Sequence, residues 1–233
     1  MQGSEVYDVL KNLKAAHPVH LHHANTVGTS CTFLEQGGML SREFVDSHKL
    51  FQTAQSSDEV DKKYGVWDRI FLDHVDIHER GGRARGANYY GPVLFVFDLE
   101  ILLGLPAGTE ILVAKENPVD WKENQPNSER WFETVEELSA SLHFGDFKKM
   151  LMIKTPQGRL DFPNHAANII LDDPQRKLSS GEDAYTHALN RLNAAAGVGH
   201  INAAVTRRVC QQGCAGIQKY AARTVQYMDM FFG

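Results

Sequence analysis

The N-terminal stretch VHLHHAN alternates between two sets of side chains, as a half-buried β-strand does. Val19, Leu21 and His23 would share one face of this strand, and His20 and His22 the other. His23 is therefore on the apolar face at the strand's end, where open sheets tend to place their binding sites. A neutral imidazole there could hold a hydroxyl or amide group of a ligand. The alternative interpretation is a core histidine whose hydrogen bonds are satisfied within the protein.

An amphipathic helix of about three turns is predicted directly after this strand. Val27, Cys31 and Leu34 recur at the spacing of one helix face. Thr26 or Asn25 is a suitable N-cap, and Gly37-Gly38 supplies a residue for the left-handed conformation that ends a helix. Strand, polar corner and helix together form the unit around which we expect the rest of the chain to be organised.

The remaining hydrophobic pattern predicts a mixed α/β (α+β) fold with a helical C-terminal portion. The run from Val93 to Asp98 is almost entirely apolar, which indicates a strand buried on both faces. Shorter apolar runs predict further strands at residues 70–72, 110–114, 150–153 and 167–171. From Gly181 onward the composition shifts towards Ala, Gly, Arg and Gln. We therefore expect one domain over residues 1–178 and a helical extension over residues 179–233 that packs on it.

Composition excludes several classes of protein. The 233 residues have 42% hydrophobic content, which is ordinary for a globular protein, and contain no apolar run near the roughly 20 residues of a membrane span. The first residues lack the basic and apolar regions of a signal peptide. Three cysteines at irregular spacing form no disulfide framework. A cytoplasmic location is the resulting expectation.

The net charge of −5 argues against a surface that is basic all round, but a local cluster can still bind phosphates. Arg80, Arg83 and Arg85 alternate with glycines, and such a segment could fit closely against a nucleic-acid backbone. A solvated surface patch is the alternative interpretation of the same residues. We expect nucleic acid to be a partner through these arginines.

The sequence His23-Ala24-Asn25, followed by FLEQGGMLSR over residues 33–42, resembles the first motif of the ADP-ribosyltransferase superfamily. The order of segments is similar to that of the DarT-type enzymes, which ADP-ribosylate nucleic-acid bases. The resemblance implies an ADP-ribosyltransferase-like core of mixed sheet and NAD as a substrate. It also implies that His23, Asn25, Arg42 and Tyr90 bind NAD, with Tyr90 stacking on nicotinamide unless it is only a rim residue that holds its loop.

The same resemblance implies a catalytic carboxylate, but the chain departs from the family here. The family uses a glutamate within a late strand, and the matching position is Asn168. Asparagine can donate a hydrogen bond to a hydroxyl but cannot accept a proton or supply a full negative charge. Asp161 is the nearest carboxylate that could replace it. We therefore expect the catalytic residues to be Asp161 or Asn168, together with Arg80 on a phosphate.

Three functions are compatible with these residues. The first is an NAD-dependent ADP-ribosyltransferase that modifies a DNA or RNA base, with a toxin- or defence-like role and an antitoxin or inhibitor protein as a further partner. The second is a metal-dependent phosphohydrolase or nuclease that uses His20, His22, Asp76 and His78. The third is a binding module that keeps the fold without catalysis. We expect the first, without a metal site.

Overall fold

The computed structural model describes residues 1–14, 18–55, 57–78, 91–146, 149–210 and 224–233, with no side chains described for residues 224–227. Within these residues the strands are β1 (His20–Asn25), β2 (Gly38–Leu40), β3 (Ile70–Asp73), β4 (Val93–Asp98), β5 (Glu110–Val113), β6 (Met150–Lys154), β7 (Arg159–Asp161), β8 (Ala166–Asp173) and β9 (Asn202–Val209). Seven of them form one mixed sheet in the order β5-β6-β3-β1-β4-β8-β9, and β2 pairs with β7 in a second, small sheet.

Helices cover the sheet and connect its strands. The α-helices are α1 (Gly3–Lys11), α2 (Val27–Gln36), α3 (Arg42–Ser47), α4 (Asp58–Lys63), α5 (Asn127–Arg130), α6 (Val135–Ser141), α7 (Ala184–Val198) and α8 (Thr224–Phe232). Short 3-10 helices span Leu99–Leu103, Pro118–Asp120 and Pro163–His165. No helix in the described part of the chain is both long enough and apolar enough to cross a membrane.

The strand–corner–helix unit forms as its local sequence predicts. Thr26 is the N-cap of α2, and its side chain accepts a hydrogen bond from the Thr29 amide. Gly37 ends the helix with φ 75° and ψ 20°, a left-handed conformation that favours glycine. The buried face of α2 packs on the sheet, where the Phe33 ring lies 6.2 Å from that of Phe95. The end of β1 is thereby held against the start of α2.

Strand β1 lies at the centre of the sheet, and its pairing with β4 is much longer than its pairing with β3. It pairs antiparallel with β4 along its whole length, from His20–Asp98 to Asn25–Val93. With β3 the register has a single pair, His22–Asp73. Beyond that pair β1 and β3 are not in register, and the ends of both strands border a cavity.

The part of the chain from residue 179 onward contributes a strand as well as helices. Helix α7 agrees with the helix expected around Tyr185–Leu192, whereas the second expected helix, Val209–Tyr227, begins at a residue of β9 and otherwise lies mostly outside the described residues. Both α7 and α8 pack against α2. Strand β9 was not expected: it pairs in parallel with β8 along its full length, from Ala166–Asn202 to Asp173–Val209. Its sequence, NAAVTRRV, lacks an apolar run, because one side of this edge strand is polar. The C-terminal portion is therefore helical only in part, and the domain boundary near residue 178 stays a prediction.

Candidate active site

His23 occupies the point where β1 and β3 diverge. Its Nδ1 lies 2.7 Å from the carbonyl oxygen of Phe71, and its Nε2 lies 3.2 Å from the amide nitrogen of Asn25. A carbonyl can only accept, so Nδ1 carries the proton and donates, while Nε2 accepts from the Asn25 side chain. Burial lowers the pKa of His23 to about 4, so the imidazole is neutral at neutral pH.

Hydrogen bonds to both the nitrogen and the oxygen of its side-chain amide fix the orientation of Asn25. Its nitrogen donates to His23, and its oxygen accepts from the Thr26 amide at 2.9 Å. Gly91 lies directly against this corner: with φ 116°, a Cβ at its position would come within 2.3 Å of the Asn25 carbonyl oxygen. The hydrogen bond to His23 therefore uses one N–H of the Asn25 amide, and the second N–H can be donated to a ligand.

Arg42 provides a cation on another side of the same cavity. Its Nη2 donates to the Thr53 carbonyl at 3.0 Å and to Asp58 at 2.8 Å, and its guanidinium lies 5.3 Å from the centre of the Trp67 ring. The side chain is only 14% exposed. Its Nε has no hydrogen-bond partner among the described residues. The charge is thus fixed in place and only partly neutralised.

These three side chains border one cavity of about 100 Å³. Much of its wall is apolar, with Phe33, Phe71, Ile77 and Val119 among the residues that line it. A mostly apolar cavity with a few oriented polar groups is typical of a small-molecule site. The sequence predicted that His23, Asn25 and Arg42 would share a site, and the structure brings them together.

Two carboxyl groups in this cavity were not among the residues expected to catalyse the reaction or bind NAD. Asp61, from α4, and Asp73, from the end of β3, both line it. Burial raises the pKa of Asp61 to about 6 and that of Asp73 to about 7. Strongly perturbed carboxyl groups in a cavity are candidates for function. The sequence feature that could have indicated Asp73 is its position directly after the apolar run Ile70–Leu72, since polar residues at the ends of strands often form binding sites.

Asp161 and Asn168 do not belong to this site. Both line a second cavity of about 730 Å³ that contains neither His23 nor Arg42. Asn168 pairs with Val96, which in turn pairs with His22, so Asn168 is on the sheet face opposite His23. Asp161 is 73% exposed and accepts a hydrogen bond from the Arg159 Nε at 2.7 Å. The expectation that His23 and Asn168 face one cleft is wrong.

Arg80, Arg83, Arg85 and Tyr90 lie outside the described residues. Their predicted contacts with phosphate and nicotinamide stay predictions. The described range that precedes the three arginines ends at His78, one residue after Ile77, which lines the cavity.

No protein-family model matches the chain, and no curated protein matches it. Among solved structures it is similar to Thermus sp. 2.9 DarT in complex with ADP-ribosylated ssDNA, with a TM-score of 0.46 and 11% sequence identity. The match covers 87% of this chain and 99% of that one. At this TM-score, a function must rest on the geometry of the cavity itself.

Asp76 and His78, two of the residues that suggested a metal site, belong to a network of ion pairs instead. The His78 Nδ1 lies 2.8 Å from Asp172, while Arg208 donates to Asp172 at 2.6 Å and to Asp76 at 2.5 Å. His20 pairs separately with Asp98 at 3.2 Å. Within the described ranges, no three His, Cys, Asp or Glu side chains are grouped so that they could hold a metal ion.

The guanidinium of Arg208 occupies the position that a cation would need in this network. Burial by itself would raise the pKa of Asp172, but hydrogen bonds and charge from His78 and Arg208 lower it to about 2. Burial by itself would lower the pKa of Arg208, but the carboxylates of Asp172 and Asp76 raise it. The network joins β8, β9 and the segment after β3, so its role is to hold these elements together.

Proposed function

We propose that the protein is an NAD-dependent ADP-ribosyltransferase whose acceptor is a nucleic-acid base. The observation that carries the proposal is the neutral His23–Asn25 pair at the end of β1, in an apolar cavity that also contains Arg42 and two carboxyl groups. This pair coincides with the residues whose sequence resembles the first motif of the ADP-ribosyltransferase superfamily. It is fixed by the cap of α2 and the close approach of Gly91.

Each group has a defined task in this proposal. Asn25, aligned by His23, donates its second amide N–H to the nicotinamide half of NAD. The apolar wall, including Phe33 and Phe71, accepts a ring and excludes water. The cavity of about 100 Å³ suits one ring-sized group, so the rest of the dinucleotide would extend out of it. Arg42 contributes positive charge near the diphosphate, because Asp58 neutralises only part of its guanidinium.

The chain supports a nucleic-acid acceptor through the arginines that follow the cavity in sequence. Arg80 comes three residues after Ile77, which lines the cavity, and Arg83 and Arg85 follow among glycines. Arginine binds phosphate oxygens through paired N–H groups, so these residues could hold a nucleic-acid backbone beside the reacting ribose.

Nicotinamide release and transfer to an oligonucleotide test the proposal directly. Purified protein is incubated with NAD and single-stranded DNA or RNA of mixed sequence, and the oligonucleotide is examined by mass spectrometry for one added ADP-ribose. Asn25→Ala is expected to reduce release strongly, while Asn164→Ala, an asparagine of the second cavity, serves as the matched control. NAD that is bound but never cleaved would instead favour a non-catalytic binding module, and a protein that neither binds nor cleaves NAD would refute the proposal.

A further inference from the structure

Asp73 is only partly exposed, and unlike the buried Asp172 and Asp173 it has no partner among the described residues. Asp172 and Asp173 are each paired with an arginine. The Asp73 carboxylate makes no hydrogen bond or ion pair with any residue in the described ranges, and it borders the cavity.

Such an arrangement is unfavourable for folding. A desolvated carboxylate without a hydrogen bond or counter-charge destabilises the native state, and proteins normally pair or remove it. The backbone of Asp73 is fixed from two sides: the residue pairs with His22 across β1 and with Met150 across β6. Paired residues have their side chains on the same face, so Asp73 lies on the His22 face of the sheet, and it borders the cavity from that side together with Phe71 and Met150.

We propose that Asp73 is the catalytic carboxylate of this cavity and contacts the ribose that carries nicotinamide. The inference rests on the proposed function and assigns to β3 a role that the sequence had placed on Asp161 or Asn168. Asp73 shares a cavity with His23, Asn25 and Arg42, whereas Asp161 and Asn168 line another.

The chemical step needs a negative charge at this position. When the bond between C1′ of the ribose and the nicotinamide nitrogen breaks, its electron pair goes to the nitrogen, which becomes neutral. The ribose becomes an oxocarbenium ion, and the Asp73 carboxylate stabilises its positive charge by accepting a hydrogen bond from a ribose hydroxyl. A nitrogen of the acceptor base, or water, then forms the new bond to C1′, and the proton that it loses is accepted by Asp73.

Asp61 is the competing carboxylate and is less suited to this role. Burial raises the pKa of Asp61, and the charge of the nearby Arg42 opposes this effect. Asp61 therefore already has a partial counter-charge within the protein. The groups that border the cavity together with Asp73 are His23, which is neutral, Arg42, Asp61 and Arg69. Arg69 is engaged with Glu110 at 3.1 Å.

The ionisation of Asp73 should then appear in the pH dependence of the reaction. Burial raises the pKa of this carboxyl group to about 7, so it is half protonated near neutrality. Its charged form is the one that stabilises the oxocarbenium ion. Nicotinamide release by the wild type should therefore rise with pH through about 7.

Asp73→Asn, Asp61→Asn and Asp161→Asn provide a matched series that removes one charge each and keeps side-chain size. Single-turnover nicotinamide release and NAD affinity by calorimetry are measured for all three and for Asp73→Glu. We expect Asp73→Asn to reduce release by at least about 100-fold, while NAD affinity changes by less than about threefold, since a contact made in the transition state is lost. Asp161→Asn should match the wild type, and Asp73→Glu should recover part of the rate with a shifted pH profile.

The outcomes separate the two proposals. If the wild type releases nicotinamide and Asp73→Asn keeps more than a tenth of that rate, the Asp73 assignment is wrong and the proposed function stands. If Asp61→Asn shows the loss instead, α4 supplies the carboxylate. If the wild type releases no nicotinamide with any acceptor, the proposed function fails, and the role of Asp73 fails with it. Circular dichroism of each variant confirms that the loss is not one of folding.

Discussion

Replacing Asp73 with asparagine is expected to stabilise the protein, and the gain should depend on pH. In the native state burial raises the pKa of Asp73 from 3.8 to about 7, while the unfolded chain keeps the ordinary value. Below about pH 4 the carboxyl group is protonated in both the native and the unfolded state, so it does not change the free energy of unfolding. Between pH 4 and pH 7 the unfolded state loses its proton first, so the wild type becomes progressively less stable as pH rises.

The size of the effect follows from the same difference in pKa. At 1.36 kcal/mol for each tenfold change in proton affinity, it corresponds to about 4 kcal/mol above pH 7 if the group is fully desolvated. The side chain borders a cavity that water can enter, so we expect a gain of about 2 kcal/mol for Asp73→Asn at pH 8. Such a gain at the expense of activity is common where a functional group is held in an unfavourable environment.

Urea denaturation of wild type and Asp73→Asn at pH 4, 5, 6, 7 and 8 measures the gain directly. Asp161→Asn is the control: its carboxylate is 73% exposed, so neutralising it should give no gain that grows with pH. The reasoning would be refuted if the difference between Asp73→Asn and the wild type were the same at pH 4 and pH 8. It would also be refuted if the variant were less stable at pH 8, since this would mean that the ionised carboxylate is well paired.

Three further predictions concern the elements around the cavity. Arg208→Met should reduce the free energy of unfolding by about 3 kcal/mol at pH 7, because it leaves Asp172 buried beside an uncharged side chain; the double variant with Asp172→Asn should recover part of this loss in a urea-denaturation cycle. Gly91→Ala should cost about 2 kcal/mol and weaken NAD binding in calorimetry, because its Cβ would meet the Asn25 carbonyl oxygen; unchanged affinity would contradict the close approach. His23→Gln should lessen the loss of stability between pH 6.5 and pH 4, since the buried imidazole, with a pKa of about 4, takes up a proton only on unfolding over that range; an unchanged acid profile would count against a neutral His23.

The part of the fold that follows from local sequence was predicted well. Alternation placed His23 on the apolar face of β1, the cap residue Thr26 and the glycine at position 37 set the limits of α2, and the apolar run became β4. Each of these depends on interactions within a few residues, so the sequence contains the information directly.

Contacts between distant segments could not be predicted in the same way. Side chains on a strand alternate between two faces, so whether Asn168 lies with His23 depends on the register of β8 against β4 and of β4 against β1. A shift of one residue at either pair would have reversed the outcome. Likewise, β9 could not be predicted from an apolar run, because its sequence has none. It is held beside β8 by backbone pairing and by the ion pairs of its arginines with Asp172 and Asp173.

The sequence by itself therefore determined the corner at Asn25, the elements on either side of it and the residue types available for chemistry. Only the tertiary structure decided which carboxyl groups border the same cavity as that corner. Asp73 borders it from the His22 face of the sheet because β3 is the neighbour of β1, and Asp161 does not because β7 pairs with β2 in a separate sheet. Proximity of this kind is set by strand pairing across tens of residues, and the free energy that selects it comes from burial of the whole core rather than from any one motif.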